Sequence, residues 1–177
     1  MGYFNPTGWL VELGLVARPP RPAARGPEAA GTPGWRVIYA TQMGAAEALA
    51  QETAGYLRHT GATAELLAFD ALPPTGLASA QPTLLIASTS YDGDAPDMAE
   101  EFEARHMRQP AALGGLRYGL LALGDRGYAN FCGFGRRLHA WLAASGARPL
   151  FPPIEVDDED PAALLAWQQR VTELVSS

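Results

Sequence analysis

Residues 35 to 47, WRVIYATQMGAAE, constrain the chain more than any other stretch: a strand-like run breaks into a small loop that at once opens a helix. Val37, Ile38 and Tyr39 are β-branched or aromatic and uncharged, which predicts a buried parallel strand. Thr41 to Ala46 make the turn. From Glu47, the residues Leu49, Thr53, Tyr56 and Leu57 recur at roughly helical spacing until Gly61, which suits a C-terminal cap. Strand, tight loop and helix start aim backbone N–H groups and the positive end of a helix dipole at one point, where an anion such as phosphate is favoured. The loop is neither the dinucleotide fingerprint, since GxGxxG is absent, nor a triphosphate loop, since no GKS or GKT follows Gly44.

The same alternation continues downstream. Strands are expected at Thr63 to Phe69, Thr83 to Ser88, Arg117 to Leu123 and Ala147 to Phe151. Helices are expected from about Asp97 to Met107, from about Gly133 to Ser145 with Phe134, Leu138, Trp141 and Leu142 on one face, and from Pro161, with Asp160 as N-cap. This pattern predicts an α/β fold: a doubly wound parallel sheet of five strands in the order 2-1-3-4-5, with helices on both faces. The loops at 41–46, 89–96 and 124–132 leave the carboxyl ends of strands one, three and four, where such sheets bind ligands. Tyr91 and Tyr128 sit in the second and third of these loops, so two rings border the expected anion cradle and could sandwich a flat heteroaromatic ligand.

At 177 residues one domain is expected, here residues 35–177. Residues 1–17 hold a short apolar segment, WLVELGLVA, broken by Glu12, and residues 18–34 combine Pro, Ala, Gly and Arg as an extended linker. No apolar run approaches the ~20 residues of a membrane span. The net charge of −6 and the lack of a basic run argue against nucleic acid and anionic membranes as partners and favour a basic docking partner. A single cysteine, Cys132, makes a reducing compartment, the cytoplasm, the expected location. His59, His106 and His139 are scattered without ligand spacing, so no metal site is expected. Ser88 and Ser90 lack a nucleophile elbow, and Cys132 has no neighbouring base, so no hydrolytic or thiol chemistry is expected.

The segments TQMGAAE, STSYDGDAPD, LALGDRGYANFCGFG and DDEDPAALLAWQQRV make residues 35 to 175 resemble the flavodoxin family, and in particular the FMN-binding domain of diflavin reductases such as cytochrome P450 reductase and the sulfite reductase flavoprotein. The resemblance implies FMN as cofactor. Thr41, Gln42, Met43, Gly44, Ala45 and Ala46 would hold its phosphate, while Tyr91 and Tyr128 would cover the two faces of the isoalloxazine. Thr89, Ser90, Asp92 and Gly93 would join from the second loop, and Leu123, Gly124, Asp125, Asn130, Phe131 and Cys132 from the third. It further implies single-electron transfer from an FAD/NADPH-dependent reductase to a haem or iron–sulfur acceptor. The acidic set Asp92, Asp94, Asp97, Glu100, Glu101 and Glu103 reads either as a docking face for a basic partner such as that acceptor or as a solvated helix start, which negative side chains favour anyway.

Two departures stand out. Met43 and Ala45 replace the hydroxyl residues usual in the phosphate loop, removing side-chain hydrogen bonds worth about 1.5–3 kcal/mol each. Asp92 follows Tyr91 where many members carry a glycine whose peptide turns over on flavin reduction, a turn that aspartate opposes. The alternative reading is a flavin-free member of the fold acting as a binding or regulatory module.

Overall fold

The computed structural model describes residues 34–176 except position 74. The expected apolar segment 1–17, and the linker apart from Gly34, lie outside these residues. Uncharged runs give the central strands, β1 (Trp35–Ala40), β3 (Thr83–Ser88) and β4 (Arg117–Gly124), which are buried on both faces, as parallel strands between two helical layers must be. β2 (Ala64–Ala68) forms the half-buried edge. All pairings are parallel, in the order β2-β1-β3-β4-β5.

The fifth position departs from the single strand expected at 147–151. It is filled by two pieces, β5 (Arg148–Pro149) against Arg117 and Tyr118, and β6 (Ile154–Asp157) against Leu121 to Gly124. The cause is Pro152 and Pro153, which have no N–H to donate to the β4 ladder. Between the pieces Phe151 turns into the core, where Gly119 makes room for it: a Cβ at that glycine would lie 2.5 Å from the Phe151 Cζ.

Successive strand residues face opposite layers. Val37, Leu84, Ile86 and Leu121 pack with α1 (Ala45–His59) and α4 (Pro161–Val175), whose Trp167 donates its indole N–H to Thr53 Oγ1 at 3.1 Å. Ile38, Leu85, Ala87 and Leu120 pack with α2 (Asp97–His106) and α3 (Gly133–Ala144). The anticipated α3 face of Phe134, Leu138, Trp141 and Leu142 is buried throughout. Asp160 caps α4 as expected, its Oδ1 accepting from the Ala162 amide at 3.0 Å. At Gly135, α3 approaches β4 so closely that a Cβ would lie 2.4 Å from the Ala122 Cβ.

One half-buried carboxylate sits in α1. Glu52 Oε1 is buried with no hydrogen-bond partner among the described residues, and burial pushes its carboxyl up to about 7. The native state therefore holds this proton more tightly than the unfolded chain, so stability is greatest below the ordinary carboxylate value of 4.5 and falls as pH rises to about 7. Halved because solvent still reaches part of the side chain, the loss amounts to about 1–2 kcal/mol. Glu52→Gln should remove it: thermal melts should show the variant level with the parent at pH 4.5 and more stable at pH 8. A parent as stable at pH 8 as the variant would refute this.

Candidate cofactor site

Three loops leave the carboxyl edges of β1, β3 and β4 and enclose a cleft of about 450 Å³. The first loop begins at buried Thr41, whose Oγ1 accepts from the Gly44 amide at 2.9 Å and closes the turn. Gly44, at φ 93°, starts α1 in a left-handed conformation that glycine adopts without strain, and no side chain caps the helix. Its first amides are thereby left for an anion. Gln42 turns sideways: its Oε1 accepts from the Ser90 hydroxyl at 3.1 Å and from the Asp97 amide at 2.9 Å, so the first loop caps α2 and ties down the second loop.

The second loop is a three-residue hairpin. The Ser90 amide donates to the Asp94 carbonyl at 2.9 Å, the Asp94 amide donates to the Ser90 carbonyl at 2.8 Å, and Tyr91 stands at the tip with φ 43°. A bulky residue at positive φ costs about 1–2 kcal/mol and persists only where its surroundings fix it. Asp92 is exposed and not part of the cleft lining. Its Oδ1 accepts from the Asn130 amide and its carbonyl from Asn130 Nδ2, both at 3.0 Å, which joins the second loop to the third.

The third loop folds on Asp125, whose Oδ1 accepts from the Gly127 amide at 2.6 Å, and it is tied to β6 through Asp157, which accepts from the Arg126 amide at 2.8 Å. Arg126 lies 4.5 Å over the Phe131 ring. Arg136 forms a fork with Glu155, at 2.7 and 2.8 Å, and these hydrogen bonds hold the Glu155 carboxyl below its usual range. Cys132 forms the floor. It is fully buried, its thiol donates to the Ala122 carbonyl at 3.3 Å, and burial pushes the thiol up to about 12, so it stays protonated and unreactive.

Of the residues expected at the site, Gln42, Met43, Ala45, Thr89, Ser90, Tyr91, Leu123, Gly124, Asp125, Tyr128, Asn130, Phe131 and Cys132 line the cleft. Thr41, Gly44, Ala46, Asp92 and Gly93 are not part of that lining. Ser88, Asp158 and Glu159 line it as well and were not among the expected cofactor contacts. Asp158 arrives because β6 runs parallel to β4 and ends at the same edge, where the Asp158 amide donates to the Gly124 carbonyl at 2.8 Å. Alternation of apolar and acidic residues in IEVD carried that signal, but the two prolines before it masked the strand. The expected docking face also loses a member: Glu103 is taken up by Arg137, at 2.6 and 3.1 Å.

These residues fit FMN. Thr89 Oγ1 is buried at the cleft with no partner among the described residues, a polar atom that a ligand would complete. Tyr91 is 77% exposed and Tyr128 51%, so two phenol rings stand largely open at the mouth. Among the described residues no Lys or Arg lines the cleft, whereas Asp125, Asp158 and Glu159 do. Electrostatics therefore favours an anion at the first amides of α1 over one beside the carboxylates.

Residues 37–167 match the flavodoxin family. The sulfite reductase (NADPH) flavoprotein alpha-component of Vibrio parahaemolyticus is 34% identical over 148 residues, 80% of this chain and 23% of that protein. Its counterpart in Bacillus subtilis is 32% identical over 130 residues, 72% of this chain and 22% of that protein. The chain thus spans about a quarter of the length of these relatives. Among solved structures, the oxidised flavodoxin 1 of Bacillus cereus superposes with a TM-score of 0.65 at 23% identity, covering 79% of this chain and 97% of that one. A flavodoxin of Pseudomonas aeruginosa gives 0.64 at 22% identity, covering 81% and 97%. Sheet order, cleft and sequence match agree: the chain belongs to the flavodoxin family, the FMN-binding proteins of electron transport.

Proposed function

We propose that this chain binds FMN in the three-loop cleft and passes single electrons from an FAD/NADPH-dependent reductase unit to a haem or iron–sulfur protein. The observation that carries the reading is the convergence on one cleft of an uncapped helix start, the unpartnered Thr89 hydroxyl and two exposed tyrosines. Bound FMN supplies the redox chemistry, accepting electrons and releasing them singly or in pairs. The chain's part is placement. Amides at the start of α1, helped by Thr41, hold the phosphate, and Tyr91 and Tyr128 enclose the ring and keep water off it.

For docking, Asp92, Asp94, Asp97 and Glu100 remain exposed on the Tyr91 hairpin and the first turn of α2, Glu101 is exposed but paired with Arg105 at 2.8 Å, and Asp158 and Glu159 line the cleft. A basic acceptor would be steered to this edge, and salt would slow its association. The choice of donor is supported by the relatives, whose names specify NADPH and a flavoprotein. A second reading, a flavin-free binding module, draws on Met43 and Ala45, which bring no hydroxyl to the phosphate end.

Titration of FMN and riboflavin into the purified protein separates the two. Quenched flavin fluorescence, with FMN bound more tightly than riboflavin, is the expected result. Protein that leaves the fluorescence of both unchanged would favour the module, and equal affinities would remove the phosphate from the α1 amides.

A further inference from the structure

The Tyr91 hairpin is held in place by side chains from outside it. Gln42 and Asn130 do so from within the cleft lining, but the third support comes from behind. Arg137, on α3 and absent from the cleft lining, donates Nη1 to the Gly93 carbonyl at 2.8 Å, while Nε and Nη2 grip the Glu103 carboxylate of α2 at 2.6 and 3.1 Å. One planar guanidinium thus joins two helices to the hairpin. A lysine ammonium lacks the fork needed to meet the carboxylate on two atoms and a carbonyl on a third. At the same place Gly133 presses the hairpin, since a Cβ there would lie 2.8 Å from Gly93 Cα.

We propose that Arg137 is a positioning residue for the cofactor: by holding the Gly93 carbonyl it fixes the left-handed turn at Tyr91 and so the ring that faces the flavin. The claim rests on the reading of Tyr91 as a ring-facing residue. Arg137 and Glu103 side chains are 47% and 25% exposed, and an ion pair this open contributes little to global stability. Its effect falls instead on a strained turn that has few contacts of its own, because Tyr91 and Asp92 are exposed and the hairpin is closed by only two backbone bonds.

The test is the binding of FMN and riboflavin to the parent, Arg137→Met, Arg137→Lys, Glu103→Gln, Tyr91→Ala and the Arg137→Met/Tyr91→Ala double variant. It is joined to hydrogen exchange at amides 90–94 without flavin. Arg137→Met should weaken both flavins by the same factor, about tenfold, with Arg137→Lys close to it and Glu103→Gln milder. In the Tyr91→Ala background Arg137→Met should add nothing, and exchange at amides 90–94 should quicken while the melting temperature holds.

Unchanged affinity in Arg137→Met, losses that add to those of Tyr91→Ala, or a loss confined to FMN would each overturn the proposal. Should Arg137→Met fail to fold, Glu103→Gln carries the same comparisons. If the parent takes up neither flavin, the reading of the cleft fails and the claim on affinity falls with it. Exchange in the flavin-free protein would then decide separately whether Arg137 braces the hairpin.

Discussion

Tyr91→Ala is expected to weaken FMN binding by about ten- to a hundredfold while leaving the melting temperature of the flavin-free protein unchanged. The asymmetry follows from exposure. At 77% exposed, the ring packs on almost nothing in the chain itself, so its removal leaves no cavity. Its free energy is realised only when a flat ligand covers it, and stacking of this kind is worth about 1–3 kcal/mol per ring, or roughly 5- to 150-fold in affinity. Tyr128→Ala should cost less, since that ring is 51% exposed and already gives part of its surface to its own loop. Tyr91→Phe keeps the stacking face and should bind nearly as the parent does. Fluorescence titration measures all three, and unaltered affinity in both alanine variants would end the idea of a tyrosine sandwich.

Gly135→Val should lower stability by about 3 kcal/mol, which for a domain of this size is a fall of roughly 10 °C in melting temperature. Even the first added carbon would stand 2.4 Å from the Ala122 Cβ and 3.4 Å from its Cα, and β4 is held between β3 on one side and β5 and β6 on the other and cannot retreat. α3 must move outward instead, opening the contacts of Phe134 and Leu138. Gly55 provides the contrast. It is exposed on α1 with nothing within 4 Å of its missing Cβ, so Gly55→Ala should stabilise by about 0.5–1 kcal/mol through helix propensity alone. Denaturant titration of the two variants reads both effects, and a Gly135→Val protein as stable as the parent would show that the helix seat is loose.

Much of this architecture was legible because central parallel strands are buried on both faces. WRVIYA, TLLIAS and RYGLLALG carry few charges, and the loops after them were identifiable by their glycines and acids. The edge of the sheet was harder to read. Ala147 to Phe151 looked like one strand because its partner residues on β4 do not announce themselves in sequence, and the Pro152-Pro153 break hid its second half. The same omission kept Asp158 and Glu159 out of the expected site. Gln42 and Asp92 were expected as ligand contacts from the family resemblance. Not legible was that Gln42 also divides its carbonyl oxygen between Ser90 and Asp97 and that Asp92 is engaged with Asn130, long-range pairings that no local pattern encodes. Glu103 was read as surface charge for the same reason, its partner lying 34 positions downstream.

The fully buried thiol at the cleft floor makes the protein its own probe of breathing motions. Thiol-directed dyes meet no other cysteine in the sequence. Under conditions where reclosing outruns modification, the labelling rate therefore reports the fraction of molecules in which the third loop has parted from β4, and no engineered label is needed. Because that loop also forms a wall of the cleft, slower labelling in the presence of a bound molecule would register occupancy without any optical signal from the molecule.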